Sequence, residues 1–585
     1  MPAPHRSALL STTPSHRRPR RRLDRLALPV GVAALLAFAL GAVAGGRSTT
    51  PGEQTAERFA AAWARNDHAQ MHALLSEPAK RRTSLMRFSR AYRRAAETAT
   101  VSSLYTGEPV HDSDSGAFSV PVRVQTRSFG VISERVLVPV SGEGDAEGVD
   151  WSARMSFPGL REGEELSRET RLAPRADLLA RDGTPLAEGE QRVSELGPLA
   201  AEIAGRIGPI PPDRATELAA EGIPADAQVG LNGLEREFDA RLLGTPGGTL
   251  RAGDRVLARS EPRSGRNVRT SIDPASQRAA VEALGGRFGG IAVLRPRTGE
   301  VLGLAGIAYS APQPPGSTFK IVTLAGALQA RTVERSQTFT PEPSTTLSGV
   351  ELENADREIC GGTLAEAFAE SCNSVFAPMG AELGARRLVA AAERFGFNET
   401  PTLRGAARST IPEADQIGDD LAVGSTAIGQ GRVLATPLLM ASVSAAIAEK
   451  GRRMRPSLLR GGSGAEPVQA TTAAVARSLN RYMRKVVASG TGTAAAIEGV
   501  SVAGKTGTAE LRDSTPDQPA TGADVAPGET PAADTTDTDA WFTAFAPSSR
   551  PRVAVAVLLV GQGAGGDTAA PAARQVLQAA LEATR

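Results

Sequence analysis

Ser317 and Lys320 lie three residues apart in the stretch PPGSTFK, residues 314–320. A serine hydroxyl is a weak nucleophile and needs a base to take its proton. A lysine that burial keeps neutral can act as that base, whereas an arginine stays charged. One helical turn would place both side chains on the same face. The pair therefore predicts a serine nucleophile that is activated by a neutral lysine.

Lysine is rare in this chain, which makes Lys320 informative. Only five of the 66 basic residues are lysines, and the other 61 are arginines. Lys80, Lys450 and Lys485 lie in polar or helix-end stretches and are interpreted as solvated. All five histidines lie at or before His111. This excludes a Ser-His-Asp triad, and a zinc site of the usual histidine-containing kind, from the rest of the chain.

Two later stretches add side chains that suit the same chemistry. Ser371-Cys372-Asn373 follows a helical pattern in AEAFAESCNSVF, and Lys505-Thr506-Gly507-Thr508 lies in the strand-like run SVAGKTGTAE. Alone, the first could cap a helix and the second could form a hairpin edge. Ser-x-x-Lys, a Ser-x-Asn type triplet and Lys-Thr-Gly, in this order, are typical of serine enzymes that react with penicillin. Together they predict one active site.

With these motifs the chain resembles the class B penicillin-binding proteins, the high-molecular-weight peptidoglycan D,D-transpeptidases. APRADLLARDGTPLAEG and GLNGLEREFDARLLGTPGG resemble the two ends of that family's dimerisation, or pedestal, domain. VRTSIDPASQRAA, GEVLGLAG, GQGRVLATPLLMA and SGTGTAA resemble parts of its catalytic domain. Residues 52–158 resemble the NTF2-like domain of the MecA-type subgroup. Arg175-Ala176 replaces the usual Arg-Gly, and IAYSAPQ is shorter than usual, but the motifs are intact.

The resemblance implies how the reaction begins. Ser317 would attack the carbonyl between the last two D-Ala residues of a stem peptide, and Lys320 would accept its proton. Ser371 would relay a proton to the departing D-Ala, and Asn373 would bind the substrate backbone. An amine from a second stem peptide would then complete the cross-link. β-Lactams would acylate Ser317 and remain attached. Neither a cofactor nor a metal is implied.

The resemblance also implies roles for the third motif. Lys505 would add positive charge that favours neutral Lys320 and attracts the substrate carboxylate, to which Thr506 and Thr508 would offer hydroxyls. Gly507 would let the substrate lie against the strand. The N–H groups of Ser317 and Thr508 would form the oxyanion hole.

Two other functions use the same fold. A β-lactamase or D,D-carboxypeptidase would need to activate water after acylation, and it has no use for about 280 preceding residues. A divisome scaffold would not need a reactive site, and the intact Ser317, Lys320, Asn373 and Lys505 argue against it. A β-lactam sensor would be expected to have a larger cytoplasmic or multi-span part than this sequence predicts.

The N-terminus predicts a membrane protein. Residues 1–25 are basic, and residues 26–46 carry no charge. A helix of that length spans about 31 Å, enough to cross a bilayer. The arginines before it place the N-terminus in the cytoplasm and the catalytic domain outside. The alternative is a cleaved signal peptide that ends near Ala42-Val43-Ala44. A glycosyltransferase or other divisome or elongasome proteins are the expected partners.

The remaining pattern predicts a multidomain α+β protein. Residues 52–158 read as helices, the first two separated by a break at Asn66-Asp67, and then as strands, the last of which is VDWSARMSF. Residues 161–171 read as a charged, helix-prone linker, 165–280 as the dimerisation domain and 286–585 as the transpeptidase domain. In the last, a strand pair joined at 296–299 is followed by helical patterns at 317–331, 363–370, 385–395, 434–449 and 471–489, by three late strands and by a final helix. This order predicts an antiparallel sheet with helices on both faces. Residues 511–538 are rich in Pro, Asp and Thr and are predicted to be a disordered loop.

Two further properties of the composition bear on function. Cys360 and Cys372 could form a disulfide in an exported chain or remain as free thiols. The net charge of +2 and the 4% content of aromatic residues give no indication of nucleic-acid binding.

Overall fold

The computed structural model of the protein describes residues 49–142, 147–462, 464–510 and 538–584. The basic segment 1–25 and the predicted anchor at 26–46 lie outside these ranges. So does the loop predicted at 511–538, apart from Thr538, which begins a strand. Within the described ranges, no helix combines the length and the apolar character needed to span a bilayer.

The N-terminal unit packs four helices against an antiparallel sheet. Each helix begins after a side chain that accepts a hydrogen bond from its first turn, supplied by Thr50, Asp67, Ser76 and Ser84. Asn66, with a φ of 56°, lies in the predicted break between the first two helices. The helices are Pro51–Ala64, His68–Ala73, Glu77–Arg82 and Leu85–Thr98, and the sheet strands are Val101–Thr106, Val110–Asp112, Ala117–Thr126 and Val131–Val138.

The last strand predicted for this unit, VDWSARMSF at 149–157, is wrong for most of its length. Only Gly148–Val149 forms a strand, paired with Val140–Ser141, and Ala153–Ser156 forms a 3-10 turn. The buried side chains of Trp151 and Met155 are four residues apart. That is the spacing of a helical turn rather than the alternation of a strand.

The helix-prone linker predicted at 161–171 is also wrong. Leu166–Arg171 is a strand that pairs antiparallel with Gly247–Ala252, which in turn pairs with Arg255–Ser260. Its residues alternate between half-buried and exposed. Leu250 on the middle strand belongs to the hydrophobic core of the N-terminal unit. The segment therefore connects the first two units through a shared sheet.

The second unit is built from short elements. Its helices are Pro198–Ala204, Pro212–Ala220, Gly233–Glu237 and Asp239–Leu243, and its strands are Leu178–Leu179, Pro185–Ala187, Ile207–Pro209, Gln228–Gly230 and Val268–Arg269.

A buried ionic cluster joins these short elements. Arg175 lies 2.7 Å from Glu235 and 2.8 Å from Asp239. Arg192 also pairs with Glu235, at 2.7 Å, and Arg214 pairs with Asp239, at 2.8 Å. Each carboxylate thus faces two guanidinium groups, which offsets the cost of removing these charges from water.

The third unit contains a five-stranded antiparallel sheet, whose strands are numbered here in chain order. They are β1 (Gly289–Arg295), β2 (Glu300–Gly306), β3 (Ala503–Glu510), β4 (Thr538–Ala546) and β5 (Val553–Leu559). The spatial order is β2-β1-β5-β4-β3. The predicted strands are confirmed, and β3, which carries Lys505, forms one edge of the sheet.

Helices cover both faces of this sheet, as predicted. Pro274–Leu284 and Ala569–Ala583 share a hydrophobic core with one face, which includes Ile291 and Val555. Lys320–Ala330 and Pro437–Ala448 share a core with the other, which includes Ala292 and Ala554. The alternation of core residues along each strand thus fixes which side chains face the predicted nucleophile.

The other α-helices of this unit match the predicted pattern with three exceptions. Leu364–Ala369, Ala385–Phe395 and Ala473–Ser489 form where the spacing predicts them. The short helix Ala414–Ile417 and the helix Asp420–Ala427 were not predicted, nor was Asn373–Leu383, which contains Pro378 in its interior. Proline is a poor residue for a helix interior, and this obscures the helical pattern there.

Candidate active site

Ser317 lies in a 3-10 turn, Gly316–Phe319, that leads directly into the helix Lys320–Ala330. The sequence predicts a helix from residue 317, and the first turn is therefore tighter than expected. Thr318 fixes this turn by donating its hydroxyl to the carbonyl of Pro315, at 2.6 Å. Ser317 is half-buried, whereas the residues from Thr318 to Lys320 are fully buried.

Lys320 is fully buried and is held by the second motif. Its Nζ donates to the carbonyl of Ser371 at 2.6 Å and to Oδ1 of Asn373 at 2.7 Å, and it lies 3.3 Å from Oγ of Ser371. The ring of Phe376 lies on another side, with its centre 5.6 Å from Nζ. Burial lowers the pKa of Lys320 well below its ordinary value, and the nearby charge of Lys505 lowers it further.

Ser371 lies in a bend between the helices Leu364–Ala369 and Asn373–Leu383. Its φ of 65° is in the left-handed region, which is uncommon for a residue other than glycine. In this conformation Oγ of Ser371 lies 2.8 Å from Nζ of Lys505. The hydroxyl is therefore between two lysines, where it can pass a proton from one position to another.

Lys505 is the second fully buried lysine of the site. Nζ of Lys505 also donates to the carbonyl of Thr506, at 3.1 Å, and lies 5.7 Å from the centre of the Phe368 ring. Burial lowers the pKa of Lys505 to about 7, and the charge of Glu370 partly opposes this effect. Lys505 is thus near its titration point at neutral pH.

The rest of the third motif is divided between two environments. The hydroxyl of Thr506 lies 2.6 Å from that of Thr491, outside the network of Lys320, Ser371 and Lys505. Thr508 is exposed. The sequence treats Thr506 and Thr508 as equivalent, but the structure places the hydroxyl of Thr506 against Thr491 and leaves Thr508 exposed.

Two glycines let β3 approach the turn that carries Ser317. A Cβ on Gly507 would lie 2.9 Å from the carbonyl oxygen of Pro315 and 3.0 Å from Cβ of Trp541. Gly316 has a φ of 50°, and a Cβ there would overlap the carbonyl oxygen of Thr508. The nucleophile turn and the edge strand therefore meet backbone to backbone.

Cys360 and Cys372 form a disulfide, with their Cα atoms 5.6 Å apart. Cys372 is the middle residue of the Ser-Cys-Asn triplet, so the bond lies directly beside Ser371 and Asn373. Of the two states that the sequence leaves open, the structure has the bonded one.

Sequence reasoning missed several residues that shape this site. Phe368 and Phe376 lie beside the two lysines, and the only sequence signal is their position on either side of the triplet. Thr491, which engages Thr506, lies in SGTGTAA, where the resemblance gave it no role. In the described ranges, no three His, Cys, Asp or Glu side chains are grouped so that they could hold a metal ion.

Comparisons with known families match three successive parts of the chain. The NTF2-like N-terminal transpeptidase domain matches residues 51–164, and the penicillin-binding protein dimerisation domain matches residues 175–270. The penicillin-binding protein transpeptidase domain matches residues 289–578. The predicted multidomain α+β architecture with these three kinds of domain is confirmed.

Curated relatives carry a specific description. Peptidoglycan D,D-transpeptidase PbpA of Mycobacterium tuberculosis H37Rv is 36% identical over 388 residues, which cover 55% of this chain and 74% of that protein. The protein of the same description from Mycolicibacterium smegmatis is 34% identical over 414 residues, which cover 60% of this chain and 79% of that protein.

Solved structures agree with these relatives. The ceftriaxone acyl-enzyme complex of penicillin-binding protein A from M. tuberculosis has a TM-score of 0.54 at 27% identity, and the match covers 70% of this chain and 98% of that one. Pseudomonas aeruginosa PBP2 in complex with WCK 5153 has a TM-score of 0.59 at 25% identity, covering 71% and 96%. This chain belongs to the penicillin-binding protein transpeptidases, in the group with an NTF2-like N-terminal domain.

Proposed function

We propose that this protein is a peptidoglycan D,D-transpeptidase in which Ser317 is the nucleophile and Lys320 is its base. The observation that carries the assignment is the environment of Lys320, which is fully buried, low in pKa and three residues from Ser317. A neutral amine in this position can accept the hydroxyl proton, which no histidine in this part of the chain could do.

Acylation follows from this arrangement. Lys320 takes the proton of Ser317 as Oγ attacks the penultimate carbonyl of a donor stem peptide, and a tetrahedral intermediate forms. The bond to the terminal D-Ala then breaks, and its nitrogen takes a proton relayed by Ser371 from the lysine pair. Ser371 suits this relay because its hydroxyl contacts both Lys320 and Lys505. Asn373 binds the donor backbone, and the donor remains as an ester on Ser317.

The second half-reaction reverses these proton transfers. The amine of an acceptor stem peptide attacks the ester carbonyl and loses a proton to the site. Ser317 regains its proton and leaves, and a new amide bond joins the two stems. Cleavage of the donor's terminal amide thus supplies the activated acyl group, so no nucleotide or redox cofactor is consumed.

Stabilisation of the intermediate is assigned to the N–H groups of Ser317 and Thr508. The close approach of the Gly316 turn to the carbonyl of Thr508 supports this assignment, since it holds the two segments together. A donor of this kind contributes about 3 kcal/mol to catalysis. β3 is an edge strand, so an extended donor peptide could lie along it, with Lys505 and Thr508 near its carboxylate.

β-Lactams would acylate the same serine. Their strained amide takes the place of the donor's terminal amide, and the leaving nitrogen stays attached to the acyl group. The acyl-enzyme complexes of M. tuberculosis penicillin-binding protein A support this part of the proposal.

The location and partners of the enzyme follow from its substrate and its N-terminal sequence. The uncharged segment 26–46 would anchor the chain in the membrane, with residues 1–25 in the cytoplasm and the catalytic domain outside. The N-terminal and dimerisation domains would hold the active site away from the membrane and dock a glycosyltransferase or other proteins of the divisome or elongasome.

Labelled penicillin tests the catalytic assignment. The wild type should form one covalent adduct that maps to Ser317, and Ser317→Ala should form none. Lys320→Arg should slow acylation by a factor of about 100 or more. Lys485→Arg is the matched control, because Lys485 forms a partly exposed salt bridge with Glu366. Penicillin should acylate this variant at the wild-type rate.

Two outcomes would contradict the proposal. Normal acylation of Lys320→Arg would eliminate Lys320 as the base. Rapid loss of the penicillin adduct, or hydrolysis of a stem peptide without cross-linking when an acceptor amine is present, would favour a β-lactamase or carboxypeptidase.

A further inference from the structure

The residues just before the second motif form a separate small structure with no assigned role. Thr338–Glu342 pairs with Cys360–Thr363, and Ser344–Leu347 pairs with Val350–Glu353 in a hairpin between them. We refer to residues 338–363 as the buttress segment. It is followed at once by the helix Leu364–Ala369 and then by Ser371.

Asn354 is the buried centre of this segment, with 5% of its surface exposed. Its Nδ2 donates to the carbonyl of Glu342 at 2.7 Å and to that of Glu358 at 2.8 Å. Its Oδ1 accepts the N–H of Ser374 at 2.8 Å. The amide therefore uses both donors to close the segment and its acceptor to hold the second motif.

Each of the three residues after Ser371 is tied to the buttress segment. Cys372 is bonded to Cys360, Asn373 donates its Nδ2 to the carbonyl of Glu353 at 2.9 Å, and Ser374 donates its N–H to Asn354. The opposite end of the Asn373 amide accepts from Lys320. The orientation of Asn373 is thus set on one side by the base and on the other by the buttress segment.

The helix that follows the second motif has no capping side chain of its own. Cys372 is the N-cap of the helix Asn373–Leu383 and makes no capping hydrogen bond with its side chain. Asn354, twenty residues earlier, instead satisfies an N–H of the first turn. Ser371 also holds a left-handed conformation that an L-residue adopts at a cost. Such a bend persists only where its surroundings enforce it.

We propose that Asn354 is a positioning residue for acylation, and that with the Cys360–Cys372 disulfide it holds Ser371 and Asn373 in register with Lys320. The inference rests on the proposed function, because it concerns the same reaction. Asn354 does not touch the substrate. It acts through Ser374 and the neighbouring backbone, and a misplacement of the motif by about 1 Å can slow such a reaction as much as a hundredfold.

The test measures penicillin acylation in two parts, the non-covalent dissociation constant and the limiting acylation rate. Asn354→Ala should lower the limiting rate by about ten- to a hundredfold. The dissociation constant should change by less than about threefold, since the carboxylate-binding strand β3 is untouched. A variant that is only less stable would lose active protein without lowering the rate of the folded fraction.

Gln277→Ala is the matched control. Gln277 is 2% exposed, and its amide donates to the carbonyl of Leu304 at 2.8 Å and accepts its N–H at 2.9 Å. The variant therefore loses a buried amide of the same chemistry, but one that joins the helix Pro274–Leu284 to β2, at the edge of the sheet opposite β3. Its melting temperature should fall while its limiting acylation rate stays within about twofold of the wild type.

The disulfide provides a second arm. The double variant Cys360→Ala/Cys372→Ala should also lower the limiting acylation rate. If Asn354→Ala does not fold, this double variant is compared with the wild type and with Gln277→Ala in its place. A wild-type limiting rate in the folded variants would overturn the inference and leave the proposed function standing. A wild type that forms no Ser317 adduct would overturn the proposed function and the inference together.

Discussion

Nζ of Lys505 lies 2.8 Å from Oγ of Ser371, and Nζ of Lys320 reaches the same oxygen at 3.3 Å. One hydroxyl therefore accepts from two fully buried lysines. Two positive charges so close together repel each other, and the protonation of one lysine makes protonation of the other harder. The pair titrates as a unit, and this has consequences for both activity and stability.

The first prediction concerns the pH dependence of acylation. Acylation needs neutral Lys320, so its rate rises with pH as Lys320 loses its proton. The charge of Lys505 lowers the pKa of Lys320. Lys505→Met removes that charge, so the pKa of Lys320 should rise and the acidic limb of the rate profile should move to higher pH. Second-order constants for penicillin across the pH range, with Lys485→Met as control, would show the shift. An unmoved acidic limb would contradict the coupling.

The second prediction concerns the pH dependence of stability. The pKa of Lys505 is about 7 in the folded protein and about 10.4 in an unfolded chain. Between these values the unfolded chain binds more protons, so this group raises the free energy of unfolding as pH rises from about 7 to about 10, by at most about 1.4 kcal/mol per pH unit. Denaturant unfolding at several pH values should show the wild type gaining stability relative to Lys505→Met. A constant difference between them would be inconsistent with a lowered pKa.

The third prediction concerns the contact between the nucleophile turn and β3. Gly316→Ala adds a Cβ that overlaps the carbonyl oxygen of Thr508, so it should push Ser317 out of place and slow acylation at least tenfold. Gly285→Ala is the control, because Gly285 has a similar φ of 59° and its nearest contact is an ordinary 3.5 Å. It should lower stability by about 1 kcal/mol and leave acylation unchanged. Equal acylation by both variants would refute the steric argument.

The fourth prediction concerns the buried ionic cluster of the second unit. Arg175→Ala removes a guanidinium from Glu235 and Asp239 and should lower the free energy of unfolding by about 3–5 kcal/mol. Arg171→Ala breaks a salt bridge with Glu261 whose side chains are 65% and 75% exposed, and should cost less than about 1 kcal/mol. Thermal and denaturant unfolding would compare them. A small loss in Arg175→Ala would indicate that the cluster does not stabilise the unit.

The sequence was informative where local pattern and long-range packing agree. The strands β1, β2, β4 and β5 are rich in apolar residues and buried over almost their whole length, and the helix after Ser317 is largely apolar, so their positions were predictable. Leu166–Arg171 was misread because its exposed face carries charges that also suit a helix. Its strand conformation depends on Gly247–Ala252, about 80 residues later, which no local pattern reveals.

The candidate site shows the same limit. The types and order of the three motifs predicted that Lys320, Ser371, Asn373 and Lys505 would lie together. They did not predict that Thr506 faces Thr491 or that Asn354 holds Ser374, since both contacts depend on segments that meet only in the folded chain. An asparagine in a polar loop has many ordinary roles, and only the three hydrogen bonds of its side chain distinguish Asn354.

The sheet order has a consequence for how the protein matures. β1 and β2 precede Ser317 in the chain, and β3 carries Lys505, but the two halves of the sheet are connected only through β5, which begins at Val553. An emerging chain therefore cannot join β3 and β4 to β1 until β5 has been synthesised. Such distant pairings form slowly. Reactivity toward penicillin should appear late in folding, so a partly made chain would be shielded from premature acylation by its own topology.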